Sequence, residues 1–324
     1  MNYFHSGDLG DVIYALPSIR ALGKGDLYLN SRPWTAKMDA PRVNVLRPLL
    51  EAQPYIVKVI HGDAPKDEYV VNFSTFRNGG IFYGINLLDH QSDWVNANAE
   101  PDPWLKVAPS AKSKGRIVCH RSPRYNNPYF RWDEIGAKFG TRMLFVGMPH
   151  EVEELRRVTK VHAEYAITQD YLELARLIAG ADLFIGNQSS PMALAIGLGV
   201  PFIQETCLWI PDCLYPRKGA FYCVDGGIPS LDIAPFQPPP DVDRHAMPPG
   251  GWQVISRRTG ERVSFKSHKL ATKHLKNYDR YLNDESAAQE VDRQNALRVS
   301  HLVRRNSAFE IFGKVKPLVD AVSK

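Results

Sequence analysis

The stretch Ala181–Ile203, ADLFIGNQSSPMALAIGLGVPFI, reads as a strand, a tight polar turn, a small-residue helix, a glycine stop and a second strand. Leu183–Ile185 is an apolar run of strand length without helical spacing. Gly186-Asn187-Gln188-Ser189-Ser190 is turn chemistry, and Pro191 suits a first helical turn, where its missing N–H costs nothing. Met192–Leu198 is compact enough to lie close against a sheet; Gly199 stops it and Val200-Pro201-Phe202-Ile203 opens the next strand. A turn of this kind aims backbone N–H groups and a positive helix end beyond the sheet edge, which favours a phosphate. Taken alone, the segment could equally be an ordinary strand-to-helix turn.

The N-terminus, MNYFHSGDLGDVIYALPSIRAL, repeats the pattern about 175 residues earlier. A short strand, Tyr3 to His5, runs into Ser6-Gly7-Asp8-Leu9-Gly10-Asp11. An amphipathic helix follows, with Val12, Ile13, Leu16, Ile19 and Leu22 on its apolar stripe. Two such turns suggest two nucleotide-fold domains that face each other.

Length and composition set the outer limits. A chain of 324 residues is long enough for about two domains with sizeable cores. Its 44% hydrophobic and 23% charged content is that of an ordinary globular protein. No apolar run approaches the roughly 18 residues of a membrane span, and no secretory pattern opens the chain. A cytoplasmic location is therefore expected. The cysteines, Cys119, Cys207, Cys213 and Cys223, include no CxxC pair, so reduced thiols are expected rather than a zinc site.

Strand-like pieces at Leu27–Leu29, Ile56–Ile60 and Tyr69–Phe73 fit a first α/β domain over residues 1–108. A polar linker, 108–115, leads to a second domain over 116–235. That domain holds strands at Arg116–Cys119 and Met143–Val146, a helix from Glu151 and a helix over Tyr171–Ala179. Alternation of this kind implies parallel sheets with right-handed crossovers and ligands beyond the carboxyl ends of the strands.

Past residue 235 the pattern changes. The prolines of 235–240 and 248–251 break regular structure, and Trp252–Ser256 and Arg262–Phe265 around a turn at 257–260 read as a hairpin. Basic helical stretches follow, so 250–324 is expected to be a ββα/helical extension. It carries 15 Lys and Arg against 8 Asp and Glu, whereas the remainder is slightly acidic. Lys266, Lys269, Lys273 and Lys276 recur at helical spacing and form one basic face, a candidate nucleic-acid contact. A solvated helix face is the plainer reading of the same run.

Gly10-Asp11-Val12-Ile13 with Ala15-Leu16-Pro17-Ser18 resembles the opening motif of the heptosyltransferase-like glycosyltransferases, glycosyltransferase family 9. The 181–203 segment resembles their donor-phosphate motif, G-N-D-T-G-P-x-H-L-A. The likeness runs from residue 1 to about residue 205, and the order of the motifs is more specific than either alone. It implies the GT-B architecture: two facing Rossmann-like domains, here with the basic extension added. It also implies inverting sugar transfer from a nucleotide-sugar donor to a hydroxyl of a glycan or lipid-linked saccharide, with no cofactor and no metal.

The resemblance carries roles to individual positions. The motif Asp regarded as general base maps onto Asp11, a carboxylate at a helix N-terminus facing the cleft; Asp8 is the alternative base, and helix capping is the structural alternative. Ser189 and Ser190 are expected to hold the diphosphate with backbone amides and hydroxyls, and Gly10, Asn187 and Gln188 complete the donor-side set. His120, Arg121, Ser122, Arg124 and Arg131 form a candidate clamp for the leaving group, since arginine forks match diphosphate oxygens. Glu151, in the segment Gly147–Glu151, is the ribose candidate, against a plain helix-start Glu. The chain departs from the motif at Gln188 (Asp in the family), Ser189 (Thr), Ser190 (Gly) and Ala193 (His). Two further functions stand beside the first, one prompted by the basic extension and one by the departures at Gln188 and Ala193. One is a DNA-modifying glycosyltransferase that uses the basic extension on a hydroxymethylated base. The other is a nucleotide-sugar binder without turnover.

Overall fold

The computed structural model describes residues 1–32, 38–66, 68–74, 76, 86–100, 103–127, 130–207, 213 and 220–223, together with three backbone strands at 252–255, 262–265 and 310–312. It is an α/β structure with two parallel sheets, as the sequence leads one to expect. The first sheet is built from β1 (Asn2–His5), β2 (Gly25–Leu29), β3 (Ile56–His61) and β4 (Val70–Asn72) in the order β3-β2-β1-β4. Helices α1 (Leu9–Leu22), α2 (Ala40–Glu51) and α3 (Leu87–Trp94) accompany it. Each strand is short, and each helix opens on an Asp or Asn N-cap, Asp8, Asp39 and Asn86 in turn. Asn86, for example, accepts the Asp89 N–H at 2.9 Å and starts α3.

The second sheet contains β5 (Ile117–His120), β6 (Met143–Val146), β7 (Glu164–Ala166), β8 (Leu183–Asn187), β9 (Phe202–Glu205), β10 (Ala220–Cys223) and β13 (Glu310–Phe312), in the order β13-β10-β9-β8-β5-β6-β7. Its helices are α4 (Trp132–Phe139), α5 (Pro149–Thr159), α6 (Tyr171–Ala179) and α7 (Ser190–Leu198). The strands β11 (Trp252–Ile255) and β12 (Arg262–Phe265) pair antiparallel, Trp252 opposite Phe265, as the hairpin pattern predicts. The terminal strand β13, which the sequence pattern does not announce, pairs in parallel with β10 and ties the chain end to the second sheet. The basic face of Lys266, Lys269, Lys273 and Lys276 lies outside the described residues, as do the helices expected around it.

Strand order reverses between β1 and β4 in the first sheet and between β5 and β8 in the second. Both loops singled out in the sequence, 6–10 and 186–190, leave strands at these reversal points. Such reversal points are where open parallel sheets take ligands, beyond the carboxyl ends of the strands.

The amphipathic reading of α1 needs correction. Residues 11–19 are buried without interruption, not along one stripe. Its own sheet covers one side, and α3 and α7 both pack on the helix. One hydrophobic cluster therefore spans both sheets, with Val12, Ile13 and Leu16 of α1 beside Met192, Ala193 and Ile196 of α7; a second, with Ile117, Phe145 and Ile185, belongs to the second sheet alone. Pro17 sits inside α1 and removes the N–H that would serve the Ile13 carbonyl. The Trp104 indole N–H fills that place, donating to the Ile13 oxygen at 3.1 Å. The backbone N–H groups of Trp104 and Leu105 both donate to the Gly197 carbonyl of α7 at 2.9 Å. A Cβ on Gly197 would stand 2.8 Å from the Trp104 ring and from Leu105, so glycine is needed for this approach. The polar stretch 108–115 is likewise packed and not loose, with the Ser110 N–H donating to the Arg176 carbonyl of α6 at 2.8 Å.

Candidate functional site

The β1–α1 turn is held from behind. The Gly7 N–H donates to His5 Nδ1 at 2.9 Å, and the Asp8 N–H donates to Asp11 Oδ2 at 3.2 Å. Gly7 lies under the Asp11 carboxylate; a Cβ there would fall 2.6 Å from Oδ2. Asp11 is buried, at 6% exposure, whereas the Asp8 side chain is 36% exposed. Asp11 is thus partly a loop-holding group, and Asp8 is the more open of the two carboxylates. Gly10 lies against α7: its Cβ position is 3.7 Å from Ser190 Cα. The N-termini of α1 and α7, the positive ends of both helix dipoles, therefore meet.

The second sheet contributes the loops after β5, β6 and β8. Arg124 reaches across to the first unit, its guanidinium 3.9 Å from Asp8 Oδ2, and lies over the Tyr125 ring. The two other arginines of the expected clamp are differently engaged. Arg121 is buried and donates to both oxygens of Glu205, at 3.1 and 3.4 Å. Glu205 is itself fully buried and also accepts from the Asn127 N–H and the Trp132 indole. Burial pushes its carboxyl above the ordinary range, and Arg121 works against that shift. Arg131 turns to its own helix and pairs with Asp133 at 2.7 Å and Glu134 at 3.0 Å. Its hydrogen bond draws Asp133 down to about 2.

Asn187 is fully buried and spends its side chain on the loop after β5, not on the cleft. Its Oδ1 accepts the Ser122 N–H at 3.1 Å, and its Nδ2 donates to the carbonyls of Ser122 and Arg124 at 3.0 and 2.5 Å. Asn187 and Ser122 thus fix the loop that carries Arg124. Gln188 is 4% exposed and accepts the Cys207 N–H at 2.7 Å, so it serves the β9 exit. Ser189 caps α7 through its backbone, and its hydroxyl donates to the Asn187 carbonyl at 3.1 Å.

Ser190, the first residue of α7, has its hydroxyl 2.6 Å from that of Tyr171. Burial pushes the Tyr171 phenol up to about 12; the Ser190 hydrogen bond opposes the shift, and the nearby Glu151 and Asp8 carboxylates add to it. The phenol therefore stays protonated and can donate. His120 Nδ1 lies 2.9 Å from the Val146 carbonyl, which makes that nitrogen the donor, and 3.9 Å from Glu151 Oε2. Burial lowers the His120 pKa, with Glu151 and the Val146 bond opposing. Glu151 also accepts the Met148 N–H at 2.8 Å, which makes it a cap of its own helix at the edge of the site. Met148 and Ile167, both exposed, follow β6 and β7.

The structure thus gathers Asp8, Gly10, Asp11, Arg124, Ser190 and Glu151 around the junction of the two sheets. It uses Arg121, Asn187 and Gln188 to build the loops behind it. Tyr171, Glu205, His5 and Gln91 belong to the surroundings of the site and carry no sequence signal, because Tyr171 meets Ser190 across 19 residues, Glu205 meets Arg121 across 84 and His5 meets Gln91 across 86. All four cysteines are buried, and burial raises the Cys119 pKa. Among the described residues no group of three or more His, Cys, Asp or Glu side chains is placed to hold a metal, and no helix is long and apolar enough to cross a membrane.

No family model matches the chain, and no curated protein matches it. Among solved structures, it is similar to E. coli heptosyltransferase WaaC with ADP-2-deoxy-2-fluoro heptose, with TM-score 0.46 and 14% identity over 68% of this chain and 91% of that one. It is also similar to a glycosyl transferase family 9 protein from Veillonella parvula, with TM-score 0.45 and 14% identity over 62% and 78%. For E. coli ADP-heptose LPS heptosyltransferase II the values are 0.43 and 12%, over 72% and 95%.

Proposed function

We propose that the protein transfers a sugar from a nucleotide-sugar donor to a hydroxyl acceptor in the crevice between its two sheets. The observation that carries this reading is the meeting of Asp8 and Arg124 beside the joined N-termini of α1 and α7. Sugar transfer needs a carboxylate for the acceptor proton and a positive environment for the departing diphosphate, a few ångströms apart. The motif resemblance in residues 1–205 supports the same reading.

In this mechanism the acceptor oxygen attacks the anomeric carbon and a carboxylate takes its proton. The bond from that carbon to the phosphate oxygen breaks, and the electron pair leaves with the nucleoside diphosphate. Asp11 is the assigned base, and Asp8, closer to the open crevice, is the alternative. The helix-end amides at Ser189 and Ser190 and the Arg124 guanidinium receive the developing phosphate charge. Glu151 is assigned to the ribose, with Met148 and Ile167 as apolar surface for the base. Transfer by direct displacement inverts the anomeric centre, and the residues assigned here perform it without a metal.

The test is a thermal-shift screen against ADP-, UDP-, GDP- and CDP-sugars, followed by turnover assays on the donor that stabilises. Asp11→Asn should lower kcat by at least about a hundredfold with donor affinity kept. Stabilisation without turnover, indifferent to Asp11→Asn and Asp8→Asn, would mark a binder instead. Absence of any shift would remove the transferase reading.

A further inference from the structure

Behind the β1–α1 turn lies a polar network in an apolar setting. His5 and Gln91 are both fully buried, and the His5 ring stacks on Phe73 at 6.0 Å between centroids. His5 Nε2 lies 2.9 Å from Gln91 Oε1, across 86 residues of sequence, and Gln91 Nε2 donates to the Asp11 carbonyl at 2.9 Å. The proton positions follow from one constraint. A backbone N–H can only donate, so the Gly7 N–H at 2.9 Å makes His5 Nδ1 an acceptor. His5 is then the neutral Nε2–H tautomer and gives its proton to Gln91 Oε1. The Gln91 amide is thereby oriented with its NH2 toward Asp11. The circuit closes at Gly7, whose Cα carries the Asp11 carboxylate directly above it.

Burying an imidazole and an amide costs desolvation that two hydrogen bonds each only repay. Here the bonds go to the two ends of one turn: His5 holds Gly7, and Gln91 holds the peptide of Asp11. From these contacts we propose that His5 and Gln91 are positioning residues for the Asp11 carboxylate. They set where the base stands without touching substrate. The proposal rests on the transferase reading for its kinetic consequence, but its geometry can be checked independently.

The tests are kinetics of Gln91→Met and Gln91→Glu and the nitrogen chemical shifts of His5 in the native protein. Methionine keeps the volume and loses both hydrogen bonds; glutamate keeps the acceptor for His5 and sets a carboxylate against the Asp11 carbonyl. Both variants should lose about ten- to a hundredfold in kcat, as expected when a reacting group is displaced by a fraction of an ångström to one ångström. The donor KM should stay within about twofold, because the phosphate-side groups belong to the other sheet. The shifts should show a protonated Nε2 and an unprotonated Nδ1. Unchanged kcat, or kcat and donor KM falling away together, would overturn the proposal, and so would an Nδ1–H tautomer. If Gln91→Met fails to fold, Gln91→Glu and the native shifts decide. If the native protein turns over no nucleotide sugar, the transferase reading falls while the tautomer still tests the network.

Discussion

Asp8 of the first α/β unit and Arg124 of the second stand 3.9 Å apart, with side chains 36% and 63% exposed. At that exposure the pair contributes about 0–1 kcal/mol to stability. Its interest is positional: one loop from each sheet brings a charge of opposite sign to the same point.

Arg124→Ala should therefore leave the melting temperature nearly unchanged and weaken donor binding about tenfold, as the loss of one charge-assisted phosphate contact does. Titration calorimetry with the stabilising donor, beside a melting curve, checks both halves. A large loss of stability with intact affinity would assign Arg124 to the scaffold.

The Trp104 indole serves the Ile13 carbonyl that Pro17 leaves without its helical donor. Trp104→Phe should destabilise by about 1–3 kcal/mol, the cost of a buried unsatisfied carbonyl. In a Pro17→Ala background the same change should cost less, since residue 17 then supplies its own N–H. Denaturant unfolding of the four proteins measures the difference, and equal costs in both backgrounds would contradict the account.

His120 gives stability a pH dependence. Burial holds its folded pKa below the ordinary 6.5, so the unfolded chain binds the proton first as pH falls. Its stability contribution is complete above about pH 6.5 and is lost progressively below that value, until the folded form also titrates. His120→Asn should flatten the fall in melting temperature between pH 7 and pH 5. An identical slope in the variant would exclude His120 as the source.

The cysteines are all buried. A thiol reagent should react slowly with the native protein and count four thiols once it is unfolded, because burial keeps the sulfurs out of its reach. Rapid labelling of the native form would place at least one thiol at the surface.

Much of this was legible from residue order. Short apolar runs bounded by glycine, proline and Ser/Asn turns mark β1, β5, β6, β8 and β9, because strand length and turn chemistry are local properties. The two glycine-bearing turns could be placed at strand ends for the same reason. Asp8 and Arg124 approach to 3.9 Å, and Gly10 lies against Ser190. Arg121, Asn187 and Gln188 looked identical to site residues, since polarity in a loop after a strand says nothing of direction.

The alternation of strands and helices and the position of both loops follow from residue order, because hydrophobic period and backbone preference act over a few residues. Which charges are buried follows from the folded packing. Glu205 draws Arg121 away across 84 residues, and Gln91 reaches Asp11 across 80. Trp104 answers Pro17 from a segment outside the helix, whose residues 11–19 are buried all round. Such choices depend on which side chains lose water together, and that is settled where helices α1 and α2 pack against α7 and α6.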